Sequence, residues 1–327
     1  MKISCLRSDL ATAISNVSRA VSTKASIPAL EGVLIKAYGN TLNISGYNLE
    51  IGKTTDIVAT NKDKGEIFVS AKLFLDIVRR LPEEIVFIET DERMVTYIAC
   101  GKVNYQIVGM SSVEYPDLPS FEQTDRITLN AKILRDMIRQ TVYAVSENTA
   151  KPIYTGSLYE IEDGVFKIIA IDGYRMAIRS ENVDSESKNR FVVPGKTQHE
   201  VLKLLTDDEE NTEIIIGQRH ITFKIKNYRI ISRLIEGTFI EYKSAIPKET
   251  KTEVVINTRT IIDAVERMSL LNNDRIQSPV RCIFSDDEIK LSCTSAVGRA
   301  NDVISVPIIG ESVEIGFNNR YLLDALK

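Results

Sequence analysis

Few residues in this chain are of a type and spacing that could break bonds. Its 327 residues contain two histidines, His199 and His220, too few for a multi-histidine metal site and poor material for a Ser-His-Asp relay. Cys5, Cys100, Cys282 and Cys293 are scattered with no CxxC pair. They read as buried thiols rather than as disulfides or zinc ligands. Asp207, Asp208, Glu209 and Glu210 could offer oxygens to Mg²⁺, but four consecutive carboxylates point in several directions and here follow a helix. A solvated loop is the expectation. Neither a phosphate-cradling GxxxxGK[ST] loop nor a GxGxxG turn occurs. What remains is a set of cations: Lys132, Arg135 and Arg139 recur at i, i+3 and i+7, on one helix face opposite an apolar stripe. Such a face can hold phosphates without catalysing anything, so a non-enzyme without metal or cofactor is expected, and a catalytic residue confined to one part of the chain is the alternative.

The charge distribution sharpens this. The net charge is −4, from 41 Lys and Arg against 45 Asp and Glu. Yet the six segments with helical periodicity, 7–24, 70–82, 131–147, 195–206, 258–271 and 318–327, together carry +7, which leaves −11 for everything else. Basic helices in an acidic chain point to a local positive surface rather than to bulk attraction for nucleic acid.

The elements that position these helices repeat. A short strand, a polar break and an amphipathic helix begin at Ile3, Ile127 and Val254, at spacings of 124 and 127 residues. A second helix follows each, in SAKLFLDIVRRLP, PGKTQHEVLKLLT and NNRYLLDALK, and a strand pair lies between the two helices. Proline-bearing connectors VEYPDLPSFEQTD and IEYKSAIPKETKT fit the same period. Domains are therefore expected at 1–121, 122–249 and 250–327. The third would lack its last half-sheet.

Runs such as EEIVFIET, MVTYIAC, VNYQIVGM, NTEIIIG, HITFKIK and YRIISRL alternate or stay apolar over strand lengths. Two helices per unit cannot separate so many strands in parallel order, so each unit is expected to be α+β, an antiparallel sheet backed by two helices. In the first helix Leu10, Ile14, Val17 and Val21 form the core stripe. No stretch approaches the ~18 apolar residues of a membrane span, and the start MKISCLRSDL lacks a signal-peptide core, so a cytoplasmic protein without membrane partners is expected.

SIPALEGVLIKAYGNTLNISGYNLEIG, SAKLFLDIVRRLP, AIDGYRMAIRS, LIEGTFIEYKSAIP and VEIGFNNRYLLDALK, in this order along the whole chain, resemble the bacterial DNA polymerase sliding clamp family, the beta subunit of the replicase. The resemblance implies a homodimeric ring of three similar domains per subunit. Helices would line a hole that encircles double-stranded DNA without reading its sequence. It implies a clamp loader that opens the ring, the replicative polymerase as its main client, and other clients with short linear motifs. By the same resemblance, DNA-facing positions are Lys24, Lys72, Arg79, Asn148 and Lys151, to which the helix face adds Lys132, Arg135 and Arg139. A client-peptide pocket would use Tyr154, Ile171, Gly173, Tyr174, Arg175, Met176, Ile240, Ser244 and Ala245. Ile171, Ile240 and Ser244 stand where the family usually has Thr, Pro and a basic residue. The dimer seam would set Tyr105 and Ile107 against Leu270 and Leu271. A repeat-built interaction scaffold without DNA in its ring is the alternative class, which the basic helices disfavour.

Overall fold

The computed structural model describes residues 1–122, 125–206, 210–271 and 278–327; Asp207, Asp208 and Glu209 lie outside the described residues. Six α-helices are present among these: α1 Arg7–Val17, α2 Ala71–Arg80, α3 Ala131–Arg139, α4 Gly195–Leu202, α5 Thr258–Ser269 and α6 Asn319–Leu326. Their starts follow from local chemistry. The side chains of Ser70, Asn130, Asn257 and Asn318 accept hydrogen bonds from the first backbone N–H groups of α2, α3, α5 and α6. Helices α1 and α4 begin after Leu6 and Pro194 with no side-chain cap. In α2 the buried face is Ala71, Phe74, Ile77 and Val78, and in α3 it is Ala131, Leu134, Met137 and Ile138, the same positions on the same period. In α1 Leu10, Ile14 and Val17 are fully buried as expected. Val21 departs from the stripe, because a 3-10 turn at Ser18–Ala20 ends the helix and leaves Val21 extended and only partly buried.

Every paired strand is antiparallel, and the helices pack in twos, α1 on α2, α3 on α4 and α5 on α6. Each repeat divides its strands between two sheets rather than one. A five-stranded sheet runs Thr60–Asp63, Lys2–Leu6, Ile85–Thr90, Val95–Cys100, Val103–Val108. An eight-stranded sheet runs Asp125–Asn130, Asn211–Ile216, His220–Ile225, Tyr228–Arg233, Ile51–Val58, Thr41–Tyr47, Gly32–Tyr38, Gly65–Ser70. A third sheet runs Met176–Asn182, Val165–Ile171, Gly156–Glu162, Asn189–Pro194. In the last repeat Gly298–Ser305, Glu288–Ser295, Val280–Ser285 and Val313–Phe317 form a four-stranded sheet, beside a two-stranded one of Thr252–Val254 with Ile308–Gly310.

The eight-stranded sheet belongs to two repeats at once. Tyr228 pairs with Thr55, Ile230 with Lys53 and Ser232 with Ile51, so the backbone ladder crosses from the first repeat to the second without a break. The chain accordingly forms two compact units, Met1–Thr238 and Phe239–Lys327. On one face of this seam Lys53, only 1% exposed, forms an ion pair with Glu200 of α4, and Asn16 of α1 donates to the Tyr228 hydroxyl at 3.0 Å. Burial pushes the Lys53 ammonium below its ordinary value in spite of Glu200. Burial alone would raise the Glu200 carboxyl, but Lys203 and Lys53 together hold it low.

The connector between the first two repeats is bound to the same sheet. Met110 pairs with Phe68, and Tyr115 is buried against Phe68 and Tyr47 with its hydroxyl donating to the Gly32 carbonyl at 3.3 Å. A methyl group on Gly52 would come within 2.4 Å of the Leu118 side chain and 2.8 Å of Ile231, which places Leu118 on the seam pair Gly52 and Ile231. Phe121 stacks on His220 at 5.9 Å and covers Gly217.

Leu118→Ala is expected to cost about 2 kcal/mol, the low end for a leucine truncation because this side chain is half-buried, and chemical denaturation of the full chain measures it. Burial, aided by Arg233 and Arg219, holds the His220 imidazole below its ordinary value. The unfolded chain therefore binds that proton first as pH falls, so this contribution is complete above the unfolded value near 6.5 and is lost through the lower folded value. Thermal unfolding from about pH 7 to about pH 5 should show declining stability, with a component that His220→Gln removes.

Candidate nucleic-acid interface and peptide groove

The expected DNA-facing residues are surface groups held by short elements. Lys72 and Arg79 are exposed on α2, and the Arg79 guanidinium donates to Ser15 Oγ of α1 at 2.8 Å. On α3, Lys132 and Arg139 point outward, whereas Arg135 is only 28% exposed and lies 3.9 Å from Asp136. The three do not share one fully solvated face, because an i+3 step rotates Arg135 toward the buried stripe. Lys24 is exposed in the loop after the first 3-10 turn. Asn148 and Lys151 are exposed in a loop that folds on itself, the Asn148 N–H donating to Ser146 Oγ at 3.1 Å and its side-chain oxygen accepting from Ala150 N–H at 2.9 Å. That loop also borders a cleft of about 570 Å³ lined by buried Ile51 and Leu234 and by exposed Lys196, His199 and Arg233.

A stronger regularity escapes a residue-by-residue reading. The second helical residue is Lys72 in α2, Lys132 in α3, Lys196 in α4, Arg259 in α5 and Arg320 in α6, and all five are exposed. Only α1 differs, with Ser8 there and Arg7 before it. A cation in the first turn opposes the helix dipole, a cost that an acid four residues on can offset, as Asp263 does for Arg259 at 2.8 Å in α5. Periodicity in the sequence could have found it: Lys72, Lys196 and Arg320 are spaced by 124, and Lys132 and Arg259 by 127.

The groove candidates fall on two units. Tyr154 sits on the 3-10 turn Pro152–Thr155, which leads into the strand Gly156–Glu162, and Ile171 ends the neighbouring strand Val165–Ile171. Between Ile171 and Met176, which pair with each other, Asp172 organises a tight turn. One carboxylate oxygen accepts from the Tyr174 and Arg175 N–H groups at 2.9 and 3.1 Å, and the other binds Arg175 Nε at 2.9 Å. The Arg175 guanidinium also donates to the Tyr143 carbonyl at 2.6 Å and lies 5.2 Å from the Tyr143 ring centre. Gly173, with φ +97°, supplies the left-handed residue that the turn needs. Arg175 is thus a structural brace, and Tyr174, 87% exposed, is the side chain the turn presents. Ile240, Ser244 and Ala245 are exposed in the second unit, where Ser244 Oγ donates to the Glu241 carbonyl at 2.8 Å.

The seam candidates also divide. Tyr105 and Ile107 share one face of the edge strand Val103–Val108, opposite Ile98 and Thr96, with Tyr105 39% exposed and Ile107 buried. Leu270 is 82% exposed, while Leu271 folds back onto the core of its own unit. All four cysteines are buried and unpaired, and burial raises the Cys5 thiol to about 12 and Cys282 to about 11. Among the described residues no three His, Cys, Asp or Glu side chains converge on a possible ion site.

An α+β chain with a threefold repeat, open sheet edges and cations at one recurring helix position has the features of a repeat-built clamp. Residues 1–119 match the DNA polymerase III beta subunit N-terminal domain, 128–241 its central domain and 243–327 its C-terminal domain. The chain is 32% identical over 340 residues to the beta sliding clamp of Bacillus subtilis strain 168, covering 100% of this chain and 90% of the relative. It is 33% identical over 329 residues to that of Halalkalibacterium halodurans, covering 96% and 87%. The solved Bacillus subtilis DNA polymerase sliding clamp superposes with a TM-score of 0.96 at 32% identity, over 100% of this chain and 89% of that one. The chain belongs to the DNA polymerase III beta subunit family, the bacterial sliding clamps.

Replacing Lys132 and Lys196 by Glu should relieve two unfavourable helix-dipole interactions but set like charges four residues before Asp136 and Glu200, leaving stability within about 0.5 kcal/mol for each change. The same change should weaken DNA association and flatten its salt dependence. Calorimetry and salt-titrated binding together test this; a lowered melting temperature with unchanged DNA binding would assign the two lysines to the fold instead.

Proposed function

We propose that this sliding clamp works as a ring of two copies that encircles duplex DNA, is opened by a clamp loader, and tethers the replicative polymerase and other clients that carry short linear motifs. The observation that carries the ring is the pair of open edges. Inside the chain, Tyr228–Arg233 pairs with Ile51–Val58. The counterpart of the first, 125 residues earlier, is Val103–Val108, and the counterpart of the second, 247 residues later, is Gly298–Ser305. Both stand at the end of their sheets, with no further strand beyond them among the described residues. An unpaired edge is an aggregation liability unless it is covered, and a second copy offers each edge the strand type that the internal seam already uses. Tyr105 and Ile107 then meet a partner edge near Leu270, whose exposed side chain suits an interface better than Leu271.

The helix-start cations supply the DNA side. Sparse, solvated Lys and Arg hold phosphates without reading bases, which suits a protein that must move along its substrate. Retention comes from closure, so no catalytic group, metal or cofactor is needed. Domains at 1–121, 122–249 and 250–327 each carry two helices. Clients would use the Tyr174 turn with Tyr154, Ile171 and Met176, an apolar set in which Met adapts to different side chains; Ile240 and Ala245 are exposed apolar positions of the second unit that the family resemblance assigns to the same role. The setting is the cytoplasm.

Loaded on nicked circular DNA, the protein should survive gel filtration in moderate salt and be lost when the circle is linearised. Leu270→Asp should yield monomers by sedimentation and abolish retention on the circle. Equal retention on circular and linear DNA would remove the ring from the account.

A further inference from the structure

The internal seam carries a marker that the open edges lack. Lys53 is core-facing, lies at the junction of two repeats, and has Glu200 of α4 as its ion-pair partner. Glu200 also accepts from Lys203 Nζ at 2.5 Å, so both carboxylate oxygens are occupied. Thr55 and Ile57, which follow on the same face of the strand, have no charge to offer. At the start of the corresponding strands of the other repeats the core-facing residues are small: Ala177 in one, Gly298 and Ala300 in the other. Glu200 is the sixth residue of α4, and the sixth residues of α2 and α6 are the shorter Asp76 and Asp324. Asp76 lies 3.4 Å from Arg80.

We propose that Lys53 and Glu200 are the pairing key of this chain, a matched charge pair that admits Tyr228–Arg233 beside Ile51–Val58 and refuses the open Val103–Val108 edge of a second copy. The inference rests on the two-copy assembly above, since only there do equivalent edges compete. Were Val103–Val108 to dock on Ile51–Val58, the neighbouring helix would be α2, and Lys53 would face an acid one methylene shorter beside Arg80. Were Tyr228–Arg233 to dock on Gly298–Ser305 of another copy, Glu200 would lie over Gly298 and Ala300 with no lysine opposite. A buried charge without its partner is strongly destabilising, whereas replacing both members by apolar groups is often neutral. The pair therefore discriminates between edges without having to stabilise the correct one. The desolvated state of Lys53 agrees with a group that tolerates only one neighbour.

The test is refolding of the full-length chain from denaturant over a range of concentrations, followed by sedimentation velocity. Lys53→Met with Glu200→Leu should regain the parent circular dichroism but produce species heavier than the parent, increasing with concentration. The reversed pair, Lys53→Glu with Glu200→Lys, made together with Lys203→Glu so that the new lysine keeps both acidic neighbours, should refold to the parent profile, while each single reversal should not. If the apolar double variant is as uniform as the parent, the pairing key is refuted. Should that variant fail to refold, the reversed pair decides: recovery supports the key, and behaviour like the single reversals overturns it. The parent is measured alongside, and a parent that is monomeric at every concentration would count against the two-copy assembly and leave the key's own comparison separately readable.

Discussion

Backbone pairing between Tyr228–Arg233 and Ile51–Val58 is the constraint on which the first 238 residues depend. Two repeats, each with its own core, share a sheet, so the helices α1 to α4 are fixed to one continuous wall. The side chains at this joint are correspondingly specific. Glycine at position 52 lets Leu118 approach the backbone, Tyr115 fills the space beneath Phe68, and Lys53 reaches across to Glu200. None of these would be needed if the repeats were beads on a string.

Function then follows from what the wall leaves unsatisfied. Helix starts display cations against their own dipoles, and sheet ends display strands without neighbours. Both are local costs to folding, and in the proposed function phosphate offsets the one and a second strand the other. The turn at Asp172 shows the complementary tactic. Its charged groups are spent on one another, so Tyr174 is presented on a rigid mount rather than on a mobile loop.

Much of this was legible in the residues because periodicity records packing. The helices, the hairpins at Tyr47 and Ile171 and the repeat spacing all follow from alternation and from the i, i+3, i+7 pattern, which depend on neighbours close in sequence. The shared sheet was not legible, since pairing of Ile231 with Gly52 is a contact across 179 positions that no local pattern encodes. Arg175 enters the expected client pocket through the family resemblance alone; only the geometry reveals that Asp172 and the Tyr143 carbonyl already hold it. Leu270 and Leu271 are adjacent and chemically identical, and the end of α5 alone decides which of them faces its own core.

The placement of the four thiols has a practical consequence. Cys5 and Cys100 lie in the core of the first repeat and Cys282 and Cys293 in that of the third, while the core of the second contains none. Burial makes each a poor thiolate, so an alkylating reagent reaches a sulfur only when the surrounding core opens. The molecule thus carries a native reporter at either end of the chain. Mass spectrometry of timed labelling would resolve the opening rate of the first core from that of the third, with no engineered probe.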